Sequence, residues 1–85
     1  MSKDKYNRDL VYGDTVLLVG EKPYRVATVY ATHGDIVRVN YNNKFYDLAS
    51  ANTVRAKYNK DIESIPDEYA REIEANQVFL KYKEK

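Results

Sequence analysis

Cysteine and tryptophan are missing from this chain of 85 residues, and glycine, proline, histidine and methionine are scarce at three, two, one and one. Without a thiol there is no disulfide and no thiolate zinc site, so stability has to come from packing, and a reducing, intracellular setting is the expectation. The glycines, Gly13, Gly20 and Gly34, are isolated, which rules out a glycine-rich phosphate loop. His33 stands alone, with no second histidine to complete a metal set. Ser2, Ser50 and Ser64 have no base arranged by motif, and Asp14, Asp35 and Asp47 form no recognisable acid and base pair, so neither catalysis nor a cofactor is expected. No run of about 18 apolar residues exists, and the chain opens on the polar stretch MSKDKYNRD, so neither a membrane span nor a signal peptide is expected.

What the chain does have is tyrosine: nine Tyr against two Phe. Tyr supplies a flat contact area with a polar tip, which suits interfaces and base stacking, and it is also a common strand residue. The formal net charge is +1, but it is unevenly spread: residues 1–60 hold ten Lys/Arg against six Asp/Glu, and residues 61–85 hold four against seven. The first part favours a polyanion and the second opposes or masks it.

Between Gly13 and Ala56 short runs rich in Val and Tyr are separated by turn signals at Gly20-Glu21-Lys22-Pro23, Thr32-His33-Gly34 and Asn42-Asn43. Strands are expected at Thr15 to Val19, Tyr24 to Ala31, Asp35 to Tyr41, Lys44 to Leu48 and Thr53 to Ala56, which suggests a small five-stranded barrel. A two-residue Asn42-Asn43 loop sets Tyr46 opposite Val39, Leu48 opposite Val37 and Asp47 opposite Arg38. A three-residue Thr32-His33-Gly34 loop sets Val29 opposite Val37 and Ala27 opposite Val39. The expected inner face is therefore Ala27, Val29, Val37, Val39, Tyr46 and Leu48, joined by Leu18 or a neighbour and by Val54. The outer face carries Val26, Thr28, Tyr30, Ile36, Arg38, Asn40, Phe45 and Asp47, more apolar than a solvated face, so something is expected to cover part of it.

The tail is the natural cover. Ser-Ile-Pro-Asp-Glu from Ser64 reads as a helix start, and Ile65, Tyr69, Ile73, Phe79 and Leu80 share one helical face. The segment Val78 to Tyr82 reads alternatively as a sixth strand. The organisation expected is a polar arm at 1–12, a barrel at 13–60 and a helix at 61–85 packed on the barrel, a mainly β fold with a helical appendage.

Two groups of residues remain as functional candidates. Arg25, Arg38, Lys44 and Arg55, with Lys22 and Lys57 nearby, interleave with Tyr24, Tyr30, Tyr41 and Phe45; cations on phosphates and rings under bases are how single strands are held without sequence reading. Tyr24, Tyr41 and Phe45 at loop ends also suit a cage for a cationic side chain.

The segments Gly13-Asp14-Thr15-Val16, Pro23-Tyr24-Arg25-Val26-Ala27-Thr28-Val29, Gly34-Asp35-Ile36-Val37-Arg38-Val39-Asn40-Tyr41, Tyr46-Asp47-Leu48 and Val54-Arg55 together resemble the Tudor, agenet and KOW group of SH3-like barrels. The resemblance implies a five-stranded barrel acting by binding alone. It implies either nucleic acid and its machinery as partner, as for KOW-type members, or a methylated Lys or Arg tail, as for Tudor-type members, with Tyr24 and Tyr41 as cage positions. The bias to Tyr, Asn and Lys is similar to that of bacteriophage accessory proteins. The sequence-based expectation is thus a nucleic-acid-associated module, DNA or RNA, with a protein-interaction module as the alternative.

Overall fold

A computed structural model describes residues 2–73. Its strands are β1 (Ser2–Lys3), β2 (Asp9–Leu10), β3 (Thr15–Leu18), β4 (Arg25–His33), β5 (Ile36–Tyr41), β6 (Lys44–Ala49) and β7 (Thr53–Arg55), with a 3-10 turn at Ser50–Asn52 and helices α1 (Asn59–Glu63) and α2 (Asp67–Arg71). Five of the strands form one antiparallel sheet in the order β6-β5-β4-β3-β7, and β1 and β2 form a separate hairpin. The fold is mainly β, as expected, but the sheet is open where a closed barrel was expected. The seam beside β7 is taken by the N-terminal hairpin: the Lys5 N–H donates to the Thr53 carbonyl at 2.7 Å, and the Arg55 N–H donates to the Asp4 carboxylate at 2.8 Å. Among the described residues no helix is long and apolar enough to cross a membrane.

The β5–β6 hairpin matches its sequence reading. Asn42 and Asn43 take φ of 53° and 64°, the left-handed values a type I′ turn needs, and Val39↔Tyr46, Arg38↔Asp47 and Val37↔Leu48 are opposed. The β4–β5 hairpin departs from it. Strand β4 runs on to His33 and the turn is Gly34-Asp35, with Gly34 at φ 61°. A two-residue turn of that placement pairs Thr32 with Val37 and Ala31 with Arg38, which carried on would leave Val29 on the wrong face. A bulge at Tyr30 inserts one residue and restores parity, so that Val29 meets Val39 and not Val37.

Two cores result, one on each side of the sheet. The inner one holds Leu10, Val16, Ala27, Val29, Val37 and Val39, with Leu18, Tyr41 and Leu48 partly buried against it. Tyr46 was expected there but is 46% exposed, because β6 is an edge strand with no neighbour beyond it among the described residues. Val54 belongs to the other core: it pairs with Leu17 across β3 and β7 and packs with Leu17, Tyr24, Ala56, Ile62, Ile65 and Ile73.

The described part of the tail, to Ile73, packs on one side of the outer face, and in pieces. The helix expected from Ser64 is two short helices around Ile65-Pro66, and α2 ends at Arg71 because the Tyr24 N–H takes the Glu72 carbonyl at 2.7 Å and draws Ile73 into a parallel bridge with Tyr24. The covered part is the β3–β7 side and Val26. Phe79, Leu80 and the Val78 to Tyr82 segment lie outside the described residues.

Candidate functional site

The part of the outer face that no described residue of the tail covers carries a row of aromatic rings. Tyr30, the bulged residue of β4, lies 4.7 Å from the Phe45 ring on β6 at 56° and 6.1 Å from the Tyr12 ring at 62°. Tyr12, Tyr30 and Phe45 are 76%, 49% and 53% exposed. A bulge that re-aims a side chain is a common device next to functional surfaces, and here it turns a large ring toward solvent between two others. Beside the row runs an open groove of about 970 Å³, floored by Thr28 and Asn40 and bounded by Tyr12, Asn42 and Asn43. Its lining offers hydroxyl and amide groups that donate and accept hydrogen bonds, and no ionised side chain.

The candidate cations fare differently. Arg38 is on this face but its guanidinium grips Asp47 through two hydrogen bonds of 2.8 and 3.1 Å. The hydrogen bond from Arg38 holds the Asp47 carboxyl below its ordinary value, and the same bond pushes Arg38 up. Arg55 is turned inward, its side chain 16% exposed, with Nε and Nη2 on the Asp61 carboxylate at 2.9 and 3.1 Å. Lys44 stands exposed at the start of β6. Arg25 lies on the opposite, inner face, its guanidinium 5.6 Å from the Tyr41 ring centre. This stacking lines a smaller groove of about 530 Å³ with Leu18, Tyr46 and Leu48, and it puts the chain's own cation on the ring that a cation cage would use.

Of the eight sequence-based candidates, Tyr30 and Phe45 are brought together, Arg25 and Tyr41 form a second pair, and Arg38 and Lys44 stay at the surface. Tyr24 and Arg55 do not present themselves. Tyr24 is 8% exposed and packs edge-on against Tyr69 at 5.2 Å under the tail, and Arg55 is held by Asp61. Sequence reasoning missed Tyr12, which sits in the loop before Gly13. Its signal was the Tyr-Gly-Asp turn that lifts it out of β2 and β3, whereas the sequence reading left Tyr12 as the last residue of the polar arm. It also missed Arg8, whose guanidinium joins Asp4, Asp61 and the Arg55 carbonyl. Among the described residues no cluster of His, Cys, Asp or Glu is arranged to hold a metal ion.

Compared with known proteins, the chain matches no family model, no curated protein and no solved structure.

Proposed function

We propose that the protein is a non-catalytic protein-interaction module that presents the Tyr12, Tyr30 and Phe45 row of its sheet face to a partner protein. The observation that carries this reading is the row itself: three adjoining rings, each about half exposed or more, on a face whose arginine is neutralised by its own aspartate. Contiguous exposed aromatics rimmed by polar groups are typical of protein contact surfaces, where Tyr and Arg anchors dominate the energy. The antiparallel strand order, with β7 returning beside β3, is compatible with the SH3-like resemblance, and that resemblance, whose members act by binding, favours a binding role. The test is affinity capture on the intact protein against a Tyr12→Ser, Tyr30→Ser double variant, read by quantitative mass spectrometry. A protein held by the native chain and lost by the folded variant supports the reading, and identical capture profiles overturn it.

A second reading, contact with single-stranded nucleic acid, is favoured by a different spot. The exposed Tyr58 ring has the Arg55, Lys57 and Lys60 cations at 5.3, 5.4 and 6.0 Å from its centre, with Arg55 paired to Asp61 and Lys57 to Asp14 at 3.2 Å, so Lys60 is the cation that would meet a phosphate beside the ring. Fluorescence anisotropy with labelled oligo(dT) and oligo(U) at several salt concentrations checks it. Binding that weakens with salt and is lost in Tyr58→Ala, Lys60→Glu supports it; no binding at low salt removes it.

A further inference from the structure

The two edges of the sheet are treated differently. At β7 the backbone is occupied by Asp4 and Lys5 of the N-terminal hairpin. At β6 no described strand pairs with the outer side. The two-residue Asn42-Asn43 loop closes on a hydrogen-bonded Tyr41·Lys44 pair, which fixes the phase of the ladder. Lys44, Tyr46 and Leu48 therefore turn their N–H and C=O toward β5, and Phe45, Asp47 and Ala49 turn theirs outward. Native edges are normally blunted by proline, a bulge, or a charge at the rim. Strand β6 has neither proline nor bulge, and of its two charges Asp47 is drawn back across the sheet by Arg38, leaving Lys44 at one end. Each face of the edge carries a large exposed ring, Phe45 at 53% on the outer face and Tyr46 at 46% on the inner one.

We propose that a second copy of this chain occupies this edge, β6 pairing antiparallel with β6 about a twofold axis through Tyr46. An axis perpendicular to the sheet keeps outer face beside outer face, so opposed residues must lie on the same side. Centring on Phe45 would leave Leu48 and Ala49 unpaired. Centring on Asp47 would set two carboxylates face to face. Centring on Tyr46 lets Phe45 and Asp47 of each copy exchange N–H···O=C bonds with Asp47 and Phe45 of the other. It stacks Tyr46 on its own copy across the non-hydrogen-bonded position, and it lays Phe45 beside the Arg38–Asp47 pair of the second copy. A net charge of +1 per chain offers little repulsion. The pairing uses the backbone of Phe45, whose ring belongs to the aromatic row, and so sets the rows of the two copies side by side on one surface.

The test is sedimentation of the full chain over a concentration series up to the submillimolar range, with hydrogen exchange followed at Phe45 and Asp47. A reversible dimer is expected, with both amides gaining protection as concentration rises. Tyr46→Lys, which sets two ammonium groups together on the axis, raises the dimer Kd by at least about tenfold. Because the chain has no cysteine, a single introduced thiol reports the register. Tyr46→Cys brings two Cα atoms to about 4.5 Å, within disulfide range, and is expected to form a covalent dimer on mild oxidation. Phe45→Cys, displaced from the axis, is not. A chain that stays monomeric throughout overturns the proposal, whether its edge amides exchange freely or are already protected by its own residues. So does equal cross-linking of the two cysteine variants. Neither result touches the reading of the aromatic row, whose test uses Tyr12 and Tyr30.

Discussion

Asp61 is where the most distant parts of the chain meet. Its carboxylate, 1% exposed, accepts from Arg8 Nη1 at 2.9 Å, from Arg55 Nε and Nη2, and from the backbone N–H groups of Lys57 and Tyr58 at 3.3 and 3.2 Å. Arg8 is shared in turn with Asp4, whose two oxygens also take the N–H groups of Tyr6, Arg8 and Arg55. Two buried carboxylates and two largely buried guanidiniums thus balance, with nearly every lone pair used. Removing one charge leaves the arginines uncompensated. Asp61→Asn is therefore expected to cost about 3 to 5 kcal/mol in urea unfolding, whereas Ser64→Ala, which deletes a hydroxyl at the margin of the network, costs within about 1 kcal/mol. Near-equal losses in the two variants would mean that the network is not organised around Asp61. None of this was legible in the sequence. Arg8 and Asp61 are 53 residues apart, and no local pattern announces a pair at that separation. The same blindness made Arg55 look like a surface cation.

The elements were most legible where a turn sets their register. Asn42-Asn43 carried a mechanism, tolerance of positive φ, and from it the whole β5–β6 pairing follows, Arg38 against Asp47 included. Asn43→Val puts a β-branched side chain at φ 64° and is expected to cost about 1 to 2 kcal/mol, while Asn43→Gly leaves stability within about 1 kcal/mol of native. Thermal unfolding of both variants checks this, and a stable Asn43→Val protein would show that the turn does not govern the hairpin. The neighbouring turn misled because the sequence does not say whether His33 ends a strand or opens a loop. The bulge that compensates is invisible to a strict period of two, and with it the shifted pairing that sets Val29 opposite Val39. Tyr30 and Phe45 were legible as outer-face residues; their adjacency to Tyr12 was not, since loop residues follow no period. Breaks at Pro66 and at Glu72 likewise override the helical period of the tail, the second because a carbonyl is claimed by Tyr24 from the far end of the sheet.

At the scale of the whole molecule, a two-residue strand at each end of the N-terminal hairpin matters more than its polarity suggests. Leu10 is fully buried in the inner core, and Asp4 and Arg8 fasten the hairpin to β7 and α1. The network that joins these pieces makes their attachment sensitive to acid. Burial works to raise the Asp61 carboxyl, but hydrogen bonds from Arg55 and the Tyr58 N–H, with the Arg8 and Arg55 charges, outweigh it and hold the group below its ordinary value. A carboxyl depressed in the folded state contributes stability that is complete above the unfolded value of about 3.9 and is lost as pH falls through the folded one. Asp9 and Asp47 are shifted the same way by hydrogen bonds from Lys3 and Arg38, but both pairs are exposed and screened, so their share is small and salt-sensitive. The unfolding temperature is therefore expected to stay level from neutral pH to about 5 and to fall below about 4, with the fall surviving high salt because its source is buried. In Asp61→Asn the acid slope should be shallower, since the group whose protonation drives it is gone. An acid slope unchanged in that variant, followed by circular dichroism from pH 7 to 2, would move the source of acid sensitivity to another part of the molecule and leave the Asp61 network a purely geometric fastening.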